Sequence, residues 1–280
     1  MTTDHKSKPN PNRSLKYAAA NSFQTKRPGR GVAEWADAHY NICTGCEHDC
    51  LYCYAKAMGH RFKGPRLPSG GWLRQQLNPQ VTRFGQEVRP VGVVMFPTTH
   101  DLTPKFLPES LRTIKNLLVN NRVLVVTKPH LCVVRALCGE LTDARDRILF
   151  RFTIGSLKPE LCAFWEPGAP APAERLQALQ HAFERGFATS VSVEPMLDSV
   201  AGTCELVDHV TPFVTETIWI GKMQRVPQKI NAQVPGFAAA RQLIRAQQTD
   251  AEILRLVALL KSNAKVRAKD SIKAVCGKYR

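Results

Sequence analysis

A chain of 280 residues, 44% of them hydrophobic, is long enough to bury a large core and suits one α/β domain with extensions. No apolar run approaches the roughly 18 residues that span a bilayer, and the polar opening MTTDHKSKPNPNR offers no apolar signal core, so no membrane association and a cytoplasmic location are expected. Nine cysteines are an odd number, and Cys132, Cys138, Cys162, Cys204 and Cys276 are scattered without disulfide spacing, which fits a reducing compartment. The formal charge of +16 gathers at the two ends, where residues 1–30 hold a net +6 and residues 261–280 another +6. Two readings of those ends stand side by side: solvated tails, or attraction to a nucleic acid.

In chain order, residues 1–30 are rich in Pro, Asn, Ser and basic residues, lack apolar periodicity and read as a mobile segment. Residues 31–42 supply a short first strand leading into NICTGCEHDCLYCYAK, residues 41–56, which holds four of the nine cysteines. Cys46, Cys50 and Cys53 stand in a C-x3-C-x2-C spacing on one loop, so three thiolates can converge on one inorganic cluster. A [4Fe-4S] cube with three protein ligands keeps one iron open, and an open position is where a metal site does chemistry. Cys43 keeps alternatives in play, because it can complete a closed four-thiolate cluster or a zinc site. Zinc ribbons separate their paired cysteines by roughly 15–20 residues, however, and only three intervene here. In the open reading Cys43 is a spare, packed under the loop, and His48 stabilises the loop by a hydrogen bond instead of ligating. The closed or zinc reading would make the chain a nucleic-acid-binding protein with a purely structural cysteine site.

A helix over residues 51–62 and a Gly-, Pro- and Arg-rich linker over 63–71 follow. The apolar run 91–96, bounded by Pro90 and Pro97, reads as a buried parallel strand. Then come helix 105–120, strand 122–127, helix 130–141, strand 147–154, helix 172–186 with Pro early and Gly at its end, strand 189–193, helix 205–213 and strand 217–220. Strands alternating with helices give a parallel sheet with right-handed crossovers. Beyond the core of residues 31–225 the pattern changes: loop 226–235, amphipathic helices 236–247 and 250–260, the second capped by Asp250, and a basic tail with a structural Cys276.

The string GCEHDCLYCYA resembles the C-x3-C-x-aromatic-C signature of the radical S-adenosylmethionine (radical SAM) enzymes, with Tyr52 as the aromatic, and most of all the branch containing spore photoproduct lyase. The stretch TIGSLKPELCAFWEPGAPAPAERLQAL carries the S-L-x3-L and E-P-G-x-P-x-P-x-x-R-L patterns of that branch, with Glu166, Pro167, Gly168 and Arg175, so the resemblance spans roughly residues 40–225. It implies a partial (β/α)6 radical-SAM-type barrel, counting residues 31–42 as the first of six strands, with the C-terminal helices covering its open side. It also implies a [4Fe-4S] cluster on Cys46, Cys50 and Cys53, with S-adenosylmethionine chelated by the free iron. An electron from an external flavodoxin- or ferredoxin-like donor would then give a 5′-deoxyadenosyl radical that abstracts a substrate hydrogen. The lyase proper uses a cysteine near the end of its second strand as hydrogen donor. This chain has Met95-Phe96-Pro97-Thr98-Thr99 there, without a thiol, which speaks against repair of spore photoproduct.

In βα barrels function gathers at the carboxyl ends of the strands. Those ends hold Thr99 and Asp101, candidates for catalysis or for capping the next helix, and Lys128, expected in the barrel mouth and, by the resemblance, facing the cofactor carboxylate. Ser156 is expected, again by resemblance, to bond the cofactor ribose or amino group. Glu194 ends an apolar strand, where an isolated carboxylate is costly unless paired or wet, and is expected to contact cofactor or substrate.

Overall fold

The computed structural model describes Gly29, Pro68 and residues 31–61, 70–79, 92–224 and 226–279. Apart from Gly29, Pro68, Gly70 and Gly71, the expected N-terminal segment and linker lie outside the described residues. The chain runs through β1 (Ala38–His39), β2 (Cys43–Thr44), α1 (Tyr54–Arg61), β3 (Gln76–Leu77), β4 (Val93–Phe96), α2 (Leu107–Leu118) and β5 (Arg122–Thr127). It continues through α3 (Leu131–Glu140), β6 (Ile148–Thr153), α4 (Pro159–Trp165), α5 (Pro172–Glu184), β7 (Ala188–Val193), α6 (Val200–Val210) and β8 (Ile218–Ile220). The last elements are α7 (Gln228–Asn231), α8 (Phe237–Gln247), α9 (Asp250–Leu260), β9 (Val266–Ala268) and α10 (Asp270–Lys278).

Seven strands pair in parallel in the order β1-β4-β5-β6-β7-β8-β9, and β2 and β3 form a separate antiparallel pair. This is the α/β, mostly parallel architecture expected. Side chains alternate along each strand. On β5, Val123 and Val125 join the main core beneath the helices, where Ile114, Leu137 and Leu179 pack, while Leu124 faces the other way toward Met95, Leu149 and Trp35. Helix starts follow simple chemistry: α5 opens on Pro172, and α6 is capped by Ser199, whose Oγ accepts from Gly202 N at 3.3 Å. Thr249, not Asp250, caps α9 by accepting from Glu252 N at 3.3 Å, because Asp250 already lies in the helix and its carboxylate takes the Lys278 ammonium at 2.8 Å.

The two ends of the core differ from expectation. Residues 31–42 are not one strand: Gly31–Glu34 is a 3-10 turn, and only two residues pair with β4, Ala38 with Val94 and His39 with Met95. The turn exists because Val32 and Trp35 fold inward against Met95 and Leu124. At the other end the expected basic tail is part of the sheet, with β9 pairing β8 through Ile218 and Val266. Lys265 Nζ donates to Val214 O (2.6 Å), Lys269 and Lys273 donate to Glu34 (2.6 and 3.0 Å), and Lys278 donates to Asp250. These cations are committed to internal partners. Glu34 thereby ties the chain ahead of β1 to the β9 edge of the sheet.

Candidate functional site

The cysteine loop is held from two sides. On one side Cys43 and Thr44 pair with Leu77 and Gln76, and Cys46 N donates to Trp72 O at 3.0 Å. Gly45 has φ +81, and a Cβ there would come within 2.6 Å of the same Trp72 oxygen, so only glycine lets the two backbones meet. On the other side Leu51 N donates to Trp165 O (2.9 Å) and Gly168 N to His48 O (3.1 Å). A Cβ on Gly168 would overlap the Glu47 carbonyl. Behind this contact Glu166 and Arg175, 1% and 0% exposed, form a buried ion pair, and Tyr52 Oη donates to Glu166. Arg175 is further fixed by Nε donating to Pro170 O at 2.7 Å. The second sequence match is therefore the support on which the cysteine loop rests.

Cys46, Cys50 and Cys53 line one cavity of about 730 Å³, a volume suited to a small molecule. Cys43 is absent from its wall and packs in the main core among Ile42, Phe96 and their neighbours. Burial pushes the thiols up, Cys43 to about 11, Cys46 to about 12, Cys53 upward and Cys50 well above its ordinary value. Such thiols ionise when a metal takes the charge, since a coordinating thiol is deprotonated outright. Cys53 is prepared for this, because Lys56 N at the start of α1 donates to its Sγ at 3.3 Å. Three soft sulfur donors on one wall, the fourth cysteine turned away, fit a [4Fe-4S] cube with an open iron.

Asp101 is the hub beside this wall. Its Oδ1 accepts from Lys128 N (2.7 Å) and Thr127 Oγ1 (2.9 Å), and its Oδ2 lies 3.0 Å from His48 Nδ1 and 3.4 Å from Lys128 Nζ. Burial works against its charge, but Lys128 and His48 outweigh it and hold the carboxyl well below the usual range. Burial likewise opposes the Lys128 charge and is outweighed by Asp101, leaving that ammonium well above its ordinary value. The helix-cap alternative for Asp101 is thus replaced by an ion pair; the N-cap residue of the Pro104–Phe106 turn is Thr103. Among the described residues, the one His/Cys/Asp/Glu group whose ligand atoms all lie within 4.8 Å of one another is Cys46, His48 and Asp101; Cys50 and Cys53 are not part of it. His48 also meets His130, Nε2 to Nε2, at 2.9 Å. Thr99 lines the cavity, its N–H and that of Thr98 donating to Asn41 Oδ1 at 2.9 and 2.8 Å. His100 Nε2 accepts from Ile42 N and Cys43 N at 3.1 and 3.2 Å, which leaves Nδ1 as the protonated nitrogen facing Asp101 O. Burial lowers its pKa to about 4.

The far half of the cavity is built by the C-terminal elements. Glu194, its pKa raised by burial, faces Lys269 Nζ at 3.6 Å, and Lys222, Asp270 and Ser271 join the wall. Ser156 is not brought to the cavity. It is fully buried, donating to Asp198 Oδ2 and accepting from Lys158 N, both at 3.0 Å, which ties the turn after β6. Trp35, Trp72, Lys269 and Asp270 also face the cavity, and sequence reasoning missed them. Their local sequence carries no motif, and only the fold brings them together.

Among solved structures, the chain resembles spore photoproduct lyase complexed with dinucleoside spore photoproduct, at 15% identity and a TM-score of 0.54 over 95% of this chain and 87% of that one. It also resembles Streptococcus suis SuiB, bound to precursor peptide SuiA (10% identity, TM-score 0.56, covering 87% of this chain and 51% of that one) and bound to S-adenosylmethionine (TM-score 0.52, 84% and 50%). By sequence it is 27% identical over 165 residues to uncharacterised protein ORF301 of Acidianus two-tailed virus, a match covering 56% of this chain and 54% of that protein, about half its length. No protein-family model matches the chain. Among the described residues no helix is long and apolar enough to cross a membrane.

Proposed function

We propose that this chain is a radical SAM enzyme of the spore photoproduct lyase-like branch. Cys46, Cys50 and Cys53 would hold a [4Fe-4S] cluster, and when bound it would supply, from a flavodoxin- or ferredoxin-like donor, the electron for reductive cleavage of S-adenosylmethionine and hydrogen abstraction from a substrate. The observation that carries this reading is the division of the four loop cysteines: three on one cavity wall, Cys43 in the core. The binding of S-adenosylmethionine by SuiB, a protein of similar fold, supports it.

In this reading the residues of the chain have separable tasks. Lys128, held by Asp101, offers a fixed cation to a carboxylate, while Tyr52, bonded to Glu166, keeps the loop facing the cavity. Glu194 and Lys269, among the polar groups of the far half, meet the substrate there. Thr99 is the candidate for contact with the reacting centre. Among the described cavity residues the only thiols are the three cluster cysteines, which supports a reaction other than that of the photoproduct lyase. The basic composition of residues 1–30 recommends nucleic acid as the first substrate class to assay. The structural-cysteine alternative needs Cys43 as fourth ligand, and its burial among core hydrophobics opposes that role.

The test is the ligand set. After anaerobic reconstitution with iron and sulfide, Cys46→Ala, Cys50→Ala and Cys53→Ala should each abolish the cluster absorbance, whereas Cys43→Ala should retain it. A Cys43→Ala protein as empty as the other three would replace the open cluster by a closed one.

A further inference from the structure

Trp72 sits on the cysteine wall with an indole N–H that has no acceptor. The residue is 6% exposed and packs against Cys46, Cys53 and Ala55. Its Nε1 is shut off from solvent and finds no hydrogen-bond partner among the described residues, the thiols included. An orphaned buried donor is destabilising, so such groups usually have a partner when the site is complete. A water would need two to four polar neighbours of its own. The hydrophobic side chains clustered with the indole are Ala55 and the thiol-bearing Cys46 and Cys53. Sulfur is the acceptor chemistry in that cluster.

We infer that the Trp72 indole N–H donates a hydrogen bond to a sulfur of the cluster on Cys46, Cys50 and Cys53, and so raises the cluster's reduction potential. This rests on the proposed cluster. The physical reason is simple: one-electron reduction places extra negative charge on the sulfurs, and a fixed donor stabilises the reduced state more than the oxidised one. The backbone already fixes the donor's position, since Trp72 O accepts from Cys46 N and the Gly45 turn admits no side chain between them. Another unpartnered indole, Trp219, lies beside Arg151, does not line the cavity and serves as a control.

The test compares wild type with Trp72→Phe, both reconstituted with iron and sulfide and titrated potentiometrically while the reduced cluster is followed by electron paramagnetic resonance. The variant's midpoint should be more negative. In wild-type protein grown with indole-15N tryptophan, pulsed resonance of the reduced cluster should show a 15N coupling that survives Trp219→Phe and disappears in Trp72→Phe. An unchanged midpoint, or a wild-type spectrum without that coupling, overturns the hydrogen bond while leaving the cluster intact. Wild type that assembles no cluster overturns the proposed function and this inference together. If Trp72→Phe does not fold, the wild-type coupling decides alone.

Discussion

Replacing Arg175 by methionine should do more damage than its distance from the cysteines suggests. The change strips Glu166 of its cation in a spot where neither side chain meets solvent, leaving the carboxylate with Tyr52 as its remaining partner. Removing one member of a buried pair costs about 3–5 kcal/mol. At about 2–4 °C per kcal/mol for a domain approaching this size, the melting temperature should fall by about 6–20 °C. The cysteine loop hangs on this support through Leu51 to Trp165 and His48 to Gly168, so cluster content after reconstitution should fall as well. The Glu166→Met, Arg175→Met double variant removes both charges, and it should melt higher than the single variant, because no unpaired carboxylate remains buried. The assay is thermal unfolding of cluster-free protein by circular dichroism. A single variant within about 2–4 °C of wild type, equivalent to about 1 kcal/mol, would refute the reasoning, as would a double variant whose loss is the sum of two singles.

Two further outcomes follow from the same geometry. Gly168→Ala forces a methyl group onto the Glu47 carbonyl, so it should cost about 1–3 kcal/mol and lower iron per chain; normal iron content would show the loop to be supported elsewhere. His100 must stay neutral to accept from Ile42 and Cys43, and its folded pKa of about 4 lies below its unfolded value near 6.5. Protons therefore bind the unfolded state more tightly, and the stabilisation is complete above pH 6.5 and lost as pH falls toward 4. Denaturant unfolding should show about 2 kcal/mol less stability from this group at pH 5 than at pH 7.5, and His100→Gln should flatten that slope; an identical slope in both proteins would contradict the assignment.

Much of this was legible in the sequence, for physical reasons. Strand 122–127 and helix 250–260 are observed residue for residue, because their apolar periodicity is set by a single environment along the whole element. The first strand misled because Val32 and Trp35 are apolar for the cavity's sake and not for a sheet. Strand β9 stayed hidden: three residues with Arg267 in the middle carry no period, and only pairing with β8 makes them a strand. The cysteine spacing is local and was readable, and Lys128 and Glu194, standing at strand ends, do reach the cavity. Ser156 also ends a strand, but Asp198, 42 residues later, claims its hydroxyl. The role of Glu166 and Arg175 is likewise nonlocal, since their motif is visible in the sequence whereas its contact with the cysteine loop exists only in three dimensions.

The central claim is that three cysteines hold an open-iron cluster that cleaves S-adenosylmethionine. Its most direct test is to reconstitute the full chain anaerobically, add S-adenosylmethionine and dithionite, and assay the products by mass spectrometry. The account predicts 5′-deoxyadenosine and methionine in equal amounts, formed by wild type and by Cys43→Ala but not by Cys50→Ala. A reconstituted, reducible cluster that yields no 5′-deoxyadenosine would contradict it.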